Sequence, residues 1–281
     1  MTTSTQIRQP TENCIYLLFV VWQSLFFTAH AGQDAVKFNP RDFAGDWDRK
    51  SAVVTYSNIP GSSRSPVNVP IPDQGPVQDP PFTEAGKAIY LANKPGYGPN
   101  RETFARDDPF GRCEPTGIPR NLNAEIIVPH ATFEIVQMED RIFQFFEYRH
   151  EWREIWMDGR KLPAAEDTFP KWTGHSVGHF EGDTLVVESV GFDERTWLDK
   201  YGHPHSEEMH LIERYRRVDA DTLELNMTLT DPVIYTRPWK SDTKIYKLNR
   251  EKYHEWDEQI HCIPAEEFPL QESYGTGNLI E

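Results

Sequence analysis

Positive charge is in short supply along this chain: 29 Lys and Arg stand against 44 Asp and Glu, a formal net charge of −15. That deficit argues against nucleic acid and anionic membrane surfaces as partners, because both reward basic patches. Cysteine is scarce as well, with three in 281 residues, and no C-x-x-C-H run offers haem attachment. A Gly-rich phosphate loop and an H-E-x-x-H zinc motif are both missing. No cofactor is expected, and no metal. Long apolar runs are missing after residue 29, so no later stretch approaches the roughly 20 residues of a membrane span.

The one apolar run is "IYLLFVVWQSLFFTA", Ile15 to Ala29. Ala29 and Ala31 complete an A-x-A pattern, so residues 1–31 read as a signal peptide, with a retained N-terminal anchor as the alternative because Glu12 offsets Arg8. The expectation is an exported protein, periplasmic or extracellular, without stable membrane insertion once the signal is removed. Cys113 and Cys262 then remain, and an oxidising compartment makes them a candidate disulfide; two buried thiols are the alternative. Closing so long a loop would stabilise the fold by roughly 4–5 kcal/mol in the chain-entropy model.

What the chain does have is aromatic surface and alternation. Aromatics make up 12% of it, with eight Trp, enough for a large core or a ring-lined cavity. Residues 32–81 form a Pro- and Gly-rich extension carrying a first strand around "GDW", and "FTEAGKAIYLAN" (82–93) reads as a helix capped by Thr83. From Arg112 onward apolar and polar residues alternate with period two, in "ATFEIVQMED", "RIFQFFEYRHEWREIWMDGR", "DTLVVESVGF" and "HLIERYRRVDADTLELNMTLTD". The joins "MED", "DGR", "EGD" and "DAD" are turn formers. Residues 82–262 are therefore expected to form one all-β domain, followed by a tail over 263–281. An antiparallel barrel with an internal cavity is the first expectation and a two-sheet sandwich the second, with one or two short helices.

Several segments carry candidate chemistry. In "DPFGRCEPTGIPR" the loop either seals one barrel end or presents Arg120 as an anion clamp. In "EWREIWMDGR", Trp152, Glu154, Trp156 and Asp158 share one strand face, a candidate ligand wall. Asp158 is either a turn residue or, held between indoles, an acid of raised pKa. Trp172 and His175 follow in "WTGHSVGHFEGD", with His175 as candidate base; His179 lies about 13 Å away along an extended chain. "GHPHSEEMH" (202–210) turns a corner, with His205 and Ser206 either facing a cavity or solvated. Glu213, Tyr215 and Arg217 share one face, reading either as a polar anchor inside the barrel or as a solvated charge ladder.

"GDW" resembles the Gly-x-Trp entry of lipocalins. The ordered set R-C-x-P-x-G-x-P-R, I-x-x-D-G-R, G-H-S-V-G-x-x-E-G-D-T-L-V-V, G-x-P-H-S-E, E-R-Y-R-R and D-P-x-x-Y-T-x-P-W, spanning Phe82 to Cys262, resembles a family of exported bacterial proteins of unassigned activity. This chain has His179 and Phe180 where that family's pattern has a basic residue followed by Trp. The resemblance implies export and a single β domain, and supplies no reaction.

Three functions fit. The first is an acid/base lyase, isomerase or hydrolase acting in a barrel pocket. His175 would be its base, His205 or Asp158 its acid, and Arg120 its substrate anchor. The second is a carrier of a hydrophobic or aromatic small molecule walled by Trp152, Trp156 and Trp172, with Ser206 and Tyr215 as further contacts. The third is a structural envelope protein with these side chains scattered.

Overall fold

A computed structural model describes residues 38–49, 80–96, 100, 102, 107–123, 132–241 and 243–250. The signal segment, Cys262 and the C-terminal tail lie outside the described residues. Ten strands are described: β1 (Gly45–Arg49), β2 (Thr132–Gln137), β3 (Arg141–Phe146), β4 (Trp152–Trp156), β5 (His175–Glu181), β6 (Thr184–Val190), β7 (His210–Asp219), β8 (Thr222–Thr230), β9 (Trp239–Lys240) and β10 (Lys244–Leu248). Neighbours in sequence are neighbours in the sheet from β1 to β9. β10 then pairs with both β1 (Trp47 opposite Leu248) and β8 (Leu225 opposite Lys244), which closes a nine-strand barrel. β9 adds to the far half of β8. Closure removes the sheet edges that a sandwich of this length would have to protect.

The expected antiparallel barrel needs one correction. β4 and β5 run parallel, and only two residue pairs join them, Ile155 with Ser176 and Trp156 with Val177. A parallel step cannot be made by a tight hairpin, so the chain crosses over from Met157 to Gly174 before re-entering the sheet. The long alternating run 141–160 is also broken. Tyr148–His150 form a 3₁₀ turn with Arg149 and His150 at positive φ, so β3 and β4 are the two arms of a hairpin.

The second correction concerns the barrel interior, where a cavity was expected. Inward positions carry Trp47, Phe133, Phe146, Ile155, Leu185, Leu211, Leu223, Leu225 and Tyr246, each almost fully buried, in one continuous core. Among them sits a polar knot. Arg153 donates to both oxygens of Glu213 (2.7 and 2.6 Å), to the Tyr215 hydroxyl (2.9 Å) and to Oε1 of Gln144 (2.8 Å). Tyr215 therefore belongs to the packed interior and not to a ligand wall. Glu213 takes Arg153 as its partner, whereas Arg217 lies over the Trp47 ring and bonds the carbonyls of Asp42 and Ala220. Burial alone would lower the Arg153 pKa, but Glu213 and Tyr215 together outweigh it and the net shift is upward. The guanidinium is held charged.

Two short helices complete the description. α1 (Glu84–Ala92) begins at Thr83, whose side chain accepts from the Gly86 amide, as the cap pattern predicted. A Cβ on Gly86 would stand 2.2 Å from the Ile234 carbonyl oxygen, so this glycine sets how closely α1 lies on the segment after β8. α2 (Arg120–Asn123) is tied to the barrel where Tyr246 donates to the Leu122 carbonyl (2.5 Å).

Candidate functional site

Alternation along β4 sends Arg153 and Ile155 inward and leaves Trp152, Glu154 and Trp156 on the outer face. β5 likewise buries Ser176 and turns His175 and Val177 outward. The crossover segment returns over this face, and together they enclose a cleft of about 810 Å³, a volume typical of small-molecule sites. Trp152, Trp156, Trp172, His175, Arg160, Lys161 and Lys171 all line it. The cleft is therefore on the outside of the wall, over the short parallel seam. Gly174 makes the entry to β5 possible: its φ is 67°, and a Cβ there would stand 2.7 Å from the Phe192 ring.

The rings are not equivalent. Guanidinium carbons lie 4.1 Å (Arg141) and 3.6 Å (Arg160) from the Trp156 ring centre, and Arg195 lies 4.2 Å from that of Trp172. Trp152 is 55% exposed, with Phe143 tilted beside it at 6.1 Å. It is the indole with the most free surface. His175 places Nε2 3.0 Å from the Phe169 carbonyl and meets the Phe169 ring edge-on at 5.4 Å. A carbonyl can only accept, so Nε2 carries the proton in the neutral ring and Nδ1 keeps its lone pair. Among the described residues, Nδ1 has no hydrogen-bond partner.

The other proposed catalytic groups are not brought to this cleft. Asp158 occupies the exposed turn ahead of Gly159 and grips Arg160 through both oxygens at 2.7–3.0 Å. The Arg160 hydrogen bonds hold its carboxyl below the usual range, the reverse of what an acid near neutral pH needs. The expected raising by indoles does not occur because the carboxylate points to a guanidinium in water. His205 is buried, with Nδ1 3.1 Å from the Ser206 carbonyl and Nε2 2.6 Å from the Thr196 hydroxyl. Burial pushes its pKa down. Ser206 is buried as well, its amide and hydroxyl both held by Asp231 at 2.6 and 2.8 Å. Arg120 forks onto the buried Asp108 at 2.6 and 2.9 Å, which engages the anion clamp internally.

Loop 202–210 is thus a corner held together by internal polar bonds. His203 Nδ1 lies 2.5 Å from Asp199, and its ring stacks on Tyr90 at 4.8 Å. Among the described residues, no group of three or more His, Cys, Asp or Glu is arranged to hold a metal ion. The sequence reading missed Lys161 and Lys171 as lining residues, although each adjoins a proline-containing stretch ("RKLP", "FPKW") that fixes a loop beside a Trp or DG turn. Glu151 also lines the cleft, but its oxygens accept from the Thr116 and Gly117 amides and from Asn121 at 2.5–2.9 Å. It anchors the loop before α2.

Fold and site together describe a closed mixed β-barrel with a ring-lined cleft on its outer wall. No protein-family model, curated protein or solved structure matches the chain.

Proposed function

We propose that this protein binds a small aromatic or hydrophobic molecule in the outer cleft, as an exported carrier. The observation that supports it best is the convergence of Trp152, Trp156 and Trp172 on one concavity. Binding is better supported than acid/base catalysis because His205 and Asp158 are committed elsewhere. Catalysis by His175 alone is the second reading, favoured by a cleft-lining imidazole whose Nδ1 has no partner among the described residues.

Export through residues 1–31 and a Cys113–Cys262 disulfide belong to the same proposal. The alanine pattern at 29 and 31 supports the first, and the two cysteines that remain beyond the signal segment in an oxidising compartment support the second. Tryptophan fluorescence of the purified protein, read against a panel of flat ring compounds, tests the binding reading. A saturable change that Trp152→Ala abolishes is expected; a panel without any saturable response would remove the proposal. Turnover of a bound compound that stops in His175→Asn would move the assignment to the second reading.

A further inference from the structure

The rings account for apolar binding, but the charges around them add selectivity. Of the cations lining the cleft, Arg153 is spent on Glu213 inside the barrel and Arg160 on Asp158. Of the lining carboxylates, Glu154 is paired with Arg141 at 2.8 Å and Glu151 faces backbone amides and Asn121. Lys161 and Lys171 remain: both are exposed, and among the described residues neither has a carboxylate within ion-pair distance. Among the described residues, a chain of net charge −15 therefore places at its ring-lined cleft two ammonium groups without a carboxylate partner, that of Lys171 lying 5.3 Å from the Phe169 ring centre. Such a spot attracts anions against the sign of the whole.

Sugars also stack on indoles, so the polar lining must decide between them. Sugar hydroxyls are best met by free carboxylate or amide side chains, which give and take paired hydrogen bonds. No Asn, Gln or Asp lines the cleft, and both of its glutamates are committed. The two lysines left without a carboxylate partner are donors only, which suits a carboxylate.

We propose that the ligand is an aromatic carboxylate, its ring system laid on Trp152 and its anionic group held by Lys161 and Lys171. The inference rests on the binding reading above and names the ligand class for the same site. Calorimetric titration of the full chain with 1-naphthoate, 1-naphthalenemethanol and cellotetraose tests it. The acid should bind about tenfold more tightly than the alcohol of the same ring, an advantage that shrinks with added salt. The double variant Lys161→Gln/Lys171→Gln should bring acid and alcohol level while the unfolding temperature stays unchanged. Equal binding of acid and alcohol to the native protein, or preference for the oligosaccharide, would overturn the anionic class and leave the cleft as a binding site. Failure of all three probes to bind would count against both readings.

Discussion

At the scale of single residues, the Arg153–Glu213 pair is the clearest case of an interaction whose removal should hurt more than its presence helps. Both side chains are essentially without solvent contact. Glu213→Gln leaves a buried guanidinium without a counter-charge, and should destabilise the fold by about 3–5 kcal/mol. Tyr215→Phe removes only the hydroxyl that Arg153 and Glu213 share, a loss of about 1–3 kcal/mol. Urea unfolding at neutral pH measures both, and a loss under 1 kcal/mol for Glu213→Gln would contradict the account.

His205 makes a separate prediction in pH. Burial lowers its folded pKa below the ordinary 6.5, against the opposing pull of the Ser206 carbonyl, Asp231 and Asp193. Its stabilising contribution is then full above pH 6.5 and is lost as pH falls through the folded pKa, because only the unfolded chain accepts the proton readily. Urea midpoints taken from pH 8 down to 5 should therefore fall, and fall less in His205→Gln. Identical slopes would refute the assignment.

At the scale of elements, α1 separates helix propensity from docking. Alanine is the better helix former by about 1 kcal/mol, so Gly86→Ala would stabilise an isolated helix. Here the new Cβ meets the Ile234 carbonyl at 2.2 Å, and the variant should lower thermal stability by displacing α1. Thr83→Ala, which removes the cap without a clash, should cost only about 1 kcal/mol. A Gly86→Ala protein that melts above the native one would show that α1 does not pack as described.

At the scale of the molecule, the barrel brings distant stretches together, with β1 beside β10 and Glu151 pinned to the loop before α2. The proposed Cys113–Cys262 bridge would brace that closure by restricting the unfolded chain. Reductant should lower the unfolding temperature of the native protein, equivalent to roughly 2–5 kcal/mol. It should leave Cys113→Ser unaffected. Equal melting with and without reductant would count against the bridge.

Alternation was readable in advance because a period of two reports only which side of a strand is apolar. The faces of β4 and β8 followed from it, and the Trp152–Trp156 wall was legible for the same reason, while the cap of α1 was legible from Thr83 ahead of the helical run. Pairing was not readable, since the pattern is the same whether the neighbour runs parallel or antiparallel. The β4–β5 seam, and the cleft over it, thus escaped the sequence. Glu213 and Arg217 share a face along one strand, yet the carboxylate chose Arg153 from across the barrel, where the low dielectric rewards the closest fork. The chain alone determined strands, faces and charge sign. Only the closed sheet decided which polar groups meet, because closure sets distances between residues that no local pattern connects.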